Sequence, residues 1–218
     1  MQIAGIDEAG KGPCIGPLVV CGLAVDEKKQ LDLKMLGVRD SKKLTPLRRT
    51  VLAEKIRKLA GKIEIIKIAP EEIDKAMSSP SSNLNILEAE KISEIINRLK
   101  PGQIIIDCPS PNTKQFVRDI KKKLHIKTEI IAEHKADDNY PVVSAASIIA
   151  KVTRDNEIEK LKKEYKVDFG SGYMSDEITQ GFLKNNWEDP KYSHIIRHNW
   201  ESWKRLSRDK HQMRLSQW

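Results

Sequence analysis

Short apolar runs alternate with longer amphipathic stretches along most of this chain. Strand-like runs occupy residues 2–7, 16–24, 62–68, 104–106 and 127–132. Apolar spacing and a scarcity of helix breakers predict helices over 46–59, 84–99, 116–124 and 142–165, with Thr45 as the N-cap of the first. Strands separated by helices pack as layers, so the pattern predicts an α/β fold. The run 104–106 consists of three isoleucines and predicts a strand that is buried on both faces.

Charge and cysteine content narrow the class of protein. The chain has 218 residues, a formal net charge of +8 and a pI of about 9.3. Such an excess of basic residues favours an acidic partner, of which nucleic acid is the commonest. Three cysteines without CxxC spacing, Cys14, Cys21 and Cys108, argue against a disulfide framework or a zinc site. No secretory signal or membrane-spanning stretch is evident, so we expect a cytoplasmic protein with no membrane partner.

The character of the sequence changes near residue 170. An aromatic, glycine-rich turn occupies residues 169–173. All four tryptophans follow it, three of them, Trp187, Trp200 and Trp203, in short polar segments. We therefore expect a main domain over 1–169, a smaller helical cap over 170–210 and a tail over 211–218.

The stretch 3–16 concentrates acidic and basic chemistry at the end of a predicted strand. The apolar run ends on Asp7 and Glu8, and Gly10, Lys11 and Gly12 follow at once. Carboxylates bind hard cations such as Mg²⁺, glycines let backbone amides approach a ligand, and lysine attracts anions. A metal beside an anion is typical of phosphoryl transfer. The alternative interpretation is a plain strand end followed by a turn.

Two further acids extend this hypothesis. Asp107 follows the isoleucine run, where it is either a metal ligand at the carboxyl end of a strand or a structural cap. Asp137, with Asp138 beside it, precedes the longest predicted helix and is either a ligand or part of a solvated turn. Successive strand residues point to opposite faces, so Asp7 and Glu8 share one site only if the chain turns after them. Four converging carboxylates could hold two divalent ions roughly 4 Å apart, and their mutual repulsion favours bound cations.

Several motifs occur together in a characteristic order. They are Gly5-Ile6-Asp7-Glu8-Ala9-Gly10-Lys11-Gly12-Pro13, Asp40-Ser41-Lys42-Lys43-Leu44, Ile106-Asp107, His134-Lys135-Ala136-Asp137, the block 140–152 and the turn 168–173. Across roughly residues 3–176 the chain resembles the type 2 ribonucleases H, the ribonuclease HII family, and is most similar to its archaeal branch.

The resemblance implies a ribonuclease H-like fold, a mixed sheet flanked by helices with a small C-terminal helical domain. It implies an endonuclease that cuts the RNA strand of RNA/DNA hybrids and incises duplex DNA on the 5′ side of embedded ribonucleotides, in primer removal and ribonucleotide excision. Two Mg²⁺ or Mn²⁺ ions are the implied cofactors. The four acidic metal-binding and catalytic positions correspond to Asp7, Glu8, Asp107 and Asp137, with Asp137 favoured over Asp138.

The resemblance also assigns substrate contacts. Gly10, Lys11 and Gly12 correspond to the loop that recognises the 2′-hydroxyl of the ribonucleotide, and Tyr173 to the tyrosine that packs on the sugar beyond the junction. The family often has arginine where Lys11 stands, and lysine lacks its planar fork. The basic pair Lys42 and Lys43 is implied to contact phosphates; the alternative is a solvated surface run.

The last residues resemble a different motif. Gln212, Leu215 and Trp218 have the spacing of the tail that docks on the sliding clamp PCNA, with Leu215 and Trp218 on one face of a helical turn. A frayed terminus is the alternative. For the whole chain the rival hypotheses are a non-catalytic hybrid-binding protein tethered to the clamp and a ribonuclease HIII-type enzyme, a branch that usually carries an additional N-terminal domain. We expect a monomer.

Overall fold

A five-stranded mixed sheet forms the centre of the fold. The structure is a computed structural model that describes residues 1–38 and 44–201. The strands are β1 (Gln2–Ala9), β2 (Leu18–Asp26), β3 (Lys62–Ile68), β4 (Gln103–Asp107) and β5 (Glu129–Glu133). They are arranged in the order β3-β2-β1-β4-β5.

The central strand β1 joins the antiparallel and parallel parts of the sheet. It pairs antiparallel with β2 and parallel with β4, and β4 pairs parallel with β5. Ile104, Ile105 and Ile106 of β4 are all buried, as predicted for a strand covered on both faces. The α/β class and the mixed sheet with flanking helices are thus confirmed.

Eight α-helices accompany the strands. They are α1 (Gln30–Met35), α2 (Pro46–Leu59), α3 (Pro70–Ser78), α4 (Leu84–Leu99), α5 (Thr113–Lys122), α6 (Ala136–Asn139), α7 (Pro141–Tyr165) and α8 (Glu177–Asn186), with 3₁₀ turns at Glu27–Lys29 and Pro190–Ile195, all within the described ranges. The Thr45 hydroxyl accepts a hydrogen bond from the Arg48 amide, which confirms the predicted N-cap of α2. Helices α1, α3 and α6 were not predicted; α1 and α6, of six and four residues, are too short to show a clear period.

The chain divides into two compact units. Among the described residues, the first comprises 1–9, 19–38, 44–67 and 84–154, and the second comprises 10–18, 68–83 and 155–201. In the first, Val142, Val143 and Ala146 of α7 belong to the same buried cluster as strand residues such as Val19 and Ile105. The predicted boundary at residue 169 stays a prediction.

The second unit has an aromatic core of its own. Phe182 contacts Phe169 in a tilted arrangement and Tyr192 edge to face, with ring centroids 5.7 Å and 4.9 Å apart. Cys14, Ile15, Trp187 and Ile196 belong to the same buried cluster. The segment directly after β1 is therefore packed against the C-terminal part of the described chain.

The three cysteines are buried free thiols. Over the described ranges, none of the helices is both long enough and apolar enough to cross a bilayer.

Candidate active site

The parallel register of β1 and β4 brings two acids to the same level of the sheet. Ile6 pairs with Ile106, so Asp7 and Asp107 follow at equivalent positions on adjacent strands. Residues at equivalent positions of neighbouring parallel strands point to the same face. Both carboxylates thus lie at the carboxyl ends of parallel strands, where sites in α/β sheets usually form.

A short turn after β5 supplies the third acid. Lys135 adopts a left-handed backbone conformation, with φ of 58°, and α6 begins at the next residue. The Ala136 amide donates to Asp107 Oδ1 at 3.2 Å, which ties this turn to the end of β4. Asp137 is buried, whereas Asp138 is exposed.

Asp7, Asp107 and Asp137 form one cluster. Each offers a carboxylate oxygen, and these oxygens lie within 4.8 Å of one another. Only 7% of Asp7 and 8% of Asp137 is exposed, so water screens their charges weakly. An all-oxygen donor set of carboxylates fits Mg²⁺ or Mn²⁺ and does not suit a soft metal.

The environment of Asp7 disfavours its charged form in the absence of a cation. Burial first, and then the neighbouring charges of Asp107 and Asp137, raise the pKa of Asp7 to about 7 against opposing hydrogen bonds. Those hydrogen bonds come from the Ser147 side chain of α7 and from the Glu8 amide, which donates to Asp7 Oδ1 at 2.7 Å. The cluster is therefore oriented for a cation and unfavourable without one.

Glu8 is placed differently from the other three acids. The strand stays regular through Ala9, because Glu8 pairs with Val20 and Ala9 with Val19. Successive side chains of a regular strand point to opposite faces, so Glu8 faces away from Asp7. It is half-buried and does not belong to the group whose oxygens lie within 4.8 Å of one another. Its assignment as the fourth acid stays a prediction.

The glycine-lysine loop lies in the second unit. Gly10 has a φ of 87°, a left-handed conformation that favours glycine. Lys11 is half-buried and Gly12 is exposed. Arg197 donates to the carbonyls of Gly10 and Lys11, and Trp200 donates to the carbonyl of Gly12. Sequence reasoning missed both residues, since nothing near them in the chain marks them.

Tyr173 lies beside this loop. A Cβ atom added to Gly12 would stand 3.6 Å from Tyr173 Cε1. The turn that carries Tyr173 is held by Thr179, whose hydroxyl donates to the Phe169 carbonyl and accepts from the Gly172 amide. The Gly172 carbonyl in turn accepts from the amide of Cys14, at 2.8 Å. Four predicted substrate-binding residues therefore lie in one hydrogen-bonded assembly: Gly10, Lys11, Gly12 and Tyr173.

Five predicted contact residues lie outside the described part of the chain. They are Lys42 and Lys43 of the basic pair, and Gln212, Leu215 and Trp218 of the tail. Their roles stay predictions.

Comparisons with known proteins agree with this geometry. The sequence model of the family described as Ribonuclease HII matches residues 4–203. Ribonuclease HII of Pyrococcus furiosus is 47% identical over 209 residues, which cover 94% of this chain and 91% of that protein. The crystal structure of ribonuclease H2 from Pyrococcus horikoshii OT3 superposes with a TM-score of 0.85 at 43% identity, covering 96% of this chain and 98% of that one. The structure of the PCNA:RNase HII complex from Archaeoglobus fulgidus gives a TM-score of 0.84 at 44% identity, covering 94% and 96% of the two chains.

Proposed function

This chain belongs to the ribonuclease HII family, and from that premise we propose that it incises duplex DNA on the 5′ side of embedded ribonucleotides, using divalent metal ions, as well as cutting the RNA strand of hybrids. The ribonuclease H endonuclease activity follows from the family itself. The family match favours this enzyme over a ribonuclease HIII-type enzyme and over a non-catalytic binding protein.

The cluster of Asp7, Asp107 and Asp137 is the observation that carries the proposed metal dependence. Three carboxylates within 4.8 Å of one another, two of them buried, repel one another strongly unless protonated or neutralised. Mg²⁺ or Mn²⁺, when bound, supplies Lewis-acid stabilisation of the phosphate and a more acidic water. The chain contributes the ligands and their orientation: Ser147 and the Glu8 amide hold Asp7, and the Ala136 amide holds Asp107. Glu8 is proposed as the fourth acid, as the family resemblance implies.

The loop over residues 10–12 and Tyr173 support the proposed preference for ribonucleotides. Backbone amides of a glycine loop form hydrogen bonds with a 2′-hydroxyl or a phosphate at close range. The Tyr173 ring beside Gly12 offers a flat face for a sugar, and an added 2′-hydroxyl on that sugar would collide with it. Such a surface senses a ribose at one position and a deoxyribose at the next.

The decisive experiment compares two adjacent acids on a duplex with a single ribonucleotide. We expect Asp137→Asn to lower the cleavage rate by at least about 100-fold, because it removes a buried charged ligand. Asp138→Asn alters an exposed neighbour of the same chemistry and should retain the rate within about threefold. EDTA should stop the wild type, and either Mg²⁺ or Mn²⁺ should restore it. End mapping should give a 3′-hydroxyl and a 5′-phosphate on the two sides of the cut. Equal loss in both variants, or cleavage that persists in EDTA, would contradict the proposed metal site.

We further propose that the tail docks on a sliding clamp. The support is the spacing of Gln212, Leu215 and Trp218, together with the solved PCNA:RNase HII complex of a relative that is 44% identical. Replacing both Leu215 and Trp218 with alanine should abolish comigration with an archaeal clamp in gel filtration. The same double variant should cut a short free duplex at the wild-type rate. Clamp binding that survives the double substitution would exclude the tail as the docking segment.

A further inference from the structure

The buried side chain of Arg197 contacts the segment that follows β1, residues 10–16. Arg197 is 0% exposed, and its guanidinium donates to three backbone carbonyls. Nη1 reaches Lys11 at 2.8 Å, Nη2 reaches Gly10 at 2.6 Å, and both Nε and Nη2 reach Gly16, at 3.0 and 2.9 Å. The planar guanidinium thus fixes both ends of the segment 10–16 at once.

The backbone around Arg197 is fixed as firmly as its side chain. The Arg197 amide donates to the Cys14 carbonyl at 2.8 Å, and the Gly16 amide donates to the Ile195 carbonyl at 2.8 Å. Ile15 forms a β-bridge with Ile196. The guanidinium is therefore presented to the loop from a rigid position.

Trp200 adds a fourth carbonyl to this arrangement. Its indole Nε1 donates to the Gly12 carbonyl at 2.9 Å, and its ring lies 5.4 Å from the Arg197 guanidinium carbon. The carbonyls of Gly10, Lys11 and Gly12 therefore all point toward side chains of the segment 197–200.

The direction of these carbonyls determines the direction of the amides. No cis peptide bond is present in the described chain, and in a planar trans peptide the N–H points opposite to the C=O. The amides of Lys11 and Gly12 are thus directed away from Arg197. Residue 13 is proline, so the peptide whose carbonyl Trp200 holds has no N–H. The result is a pair of successive N–H donors on one side of the loop, a geometry that binds acceptor oxygens.

We propose that Arg197 and Trp200 are positioning residues that set the selectivity for ribonucleotides by holding the loop carbonyls. This inference rests on the proposed function, in which the loop over 10–12 contacts the ribonucleotide. The two side chains touch no substrate; they hold the Lys11 and Gly12 amides in the direction needed to bind it. A lysine at position 197 has no planar fork and cannot hold the three carbonyls in the same way.

The test uses a pair of identical substitutions in the same unit. Trp200→Phe keeps an aromatic ring near the guanidinium and removes the N–H donor to Gly12 together with the five-membered part of the indole. Trp187→Phe alters a buried aromatic residue of the core of this unit and serves as the control for lost stability. Arg197→Lys tests whether the planar guanidinium, with its several N–H donors, is needed. For each variant, the KM for a single-ribonucleotide duplex is compared with the inhibition constant of the all-DNA duplex of the same sequence.

We expect Trp200→Phe to raise the KM about tenfold, the size of one lost hydrogen bond to the loop, with kcat within about threefold and the all-DNA inhibition constant unchanged. Arg197→Lys should have at least the same effect. Trp187→Phe should lower the melting temperature and leave the ratio of the two constants unchanged. Amide hydrogen exchange at Lys11 and Gly12 should accelerate in Trp200→Phe and not in Trp187→Phe.

Two results would overturn the inference, and they are distinguishable. In the first, Trp200→Phe and Arg197→Lys keep the wild-type ratio of KM to the all-DNA inhibition constant and the wild-type exchange rates. This would show that the two residues do not position the loop, while the proposed function stands. A wild-type enzyme that binds the single-ribonucleotide duplex no better than the all-DNA duplex would remove the proposed selectivity and this inference with it.

Discussion

Ile6 of β1 and Ile106 of β4 are partners in the parallel register, and this one pairing aligns the acids that follow them. A shift of the register by one residue would turn Asp107 to the other face of the sheet, away from Asp7. The buried isoleucines on both strands favour this register, because a slip by one residue would move each of them into the packing space of the opposite face, where it does not fit. The position of the carboxylates is therefore determined by the packing of the apolar core.

We predict that Asp7→Asn stabilises the metal-free protein at alkaline pH. The folded state keeps a proton on Asp7 up to about pH 7, whereas the unfolded chain releases it near 3.8. Raising the pH across this window favours the unfolded state, because the folded state binds more protons. At pH 8 in EDTA the variant should exceed the wild type by on the order of 2–4 kcal/mol in free energy of unfolding, measured by urea titration.

The same measurements at pH 4 and with metal serve as controls. At pH 4 the difference between the variant and the wild type should shrink, since Asp7 is protonated in the folded protein. Mn²⁺ at pH 8 should stabilise the wild type more than Asp7→Asn, because binding to the folded state alone raises its stability. A wild type that is insensitive to pH between 4 and 7, or a variant that gains as much from Mn²⁺, would contradict the assignment of Asp7.

Local patterns predicted the five strands, four of the eight described α-helices and the acidic regions of the chain that meet. The isoleucine run of β4, the Thr45 cap and the position of acids after strands follow from short-range chemistry, and each agrees with the structure. The choice between Asp137 and Asp138 could not come from chemistry, since the two side chains are identical. Burial distinguishes them, and burial depends on how α6 packs after the left-handed turn at Lys135.

No local sequence pattern could predict the hydrogen bonds of Arg197. Its acceptors are 181 to 187 residues away in the sequence. A buried arginine that binds backbone carbonyls leaves no complementary acidic residue in the sequence to indicate the pairing. Pairing with β2 likewise keeps β1 regular through Glu8. The glycine at position 10 suggested a turn, and it could not show that the strand continues as far as Ala9.

A second prediction concerns the contact between β1 and the start of α7. A Cβ atom at Gly5 would lie 2.5 Å from the Val142 carbonyl carbon and oxygen and 2.6 Å from the Val143 nitrogen. These are backbone atoms, so Gly5→Ala must displace the helix and should cost about 3 kcal/mol in free energy of unfolding. Gly61→Ala is the control in the same unit, since its nearest atom is the Ala24 oxygen at 3.5 Å. It should change the stability by less than about 1 kcal/mol.

Because α7 carries Ser147, the displacement in Gly5→Ala should also reach Asp7. We expect the variant to lose Mn²⁺ affinity in calorimetric titration, whereas Gly61→Ala retains it. Equal stability and equal affinity in the two variants would show that β1 tolerates a methyl group at this contact.

Tyr173 should discriminate through its ring and not through its hydroxyl. The ring edge lies beside Gly12, so a phenylalanine fills the same space. Tyr173→Phe should keep the ratio of cleavage at a single ribonucleotide to cleavage within a continuous RNA strand. Tyr173→Ala removes the collision with a 2′-hydroxyl on the following sugar and should lower this ratio by about tenfold, measured on two duplexes of one sequence. A ratio that falls equally in both variants would assign the selectivity to the hydroxyl instead.

We predict that Lys11 contributes one phosphate contact. The number of such contacts can be measured from the dependence of the binding constant on salt concentration. Each neutralised phosphate releases counterions, so the logarithm of the binding constant falls with the logarithm of salt concentration by about 0.9 per contact. Lys11→Ala should reduce this slope by about 1, and Lys11→Arg should preserve it, because the charge stays in place. Lys160→Ala, an exposed lysine of α7, removes the same net charge elsewhere on the surface. If both alanine variants weakened binding equally without changing the slope, Lys11 would act only through the net charge of +8 and not through a contact.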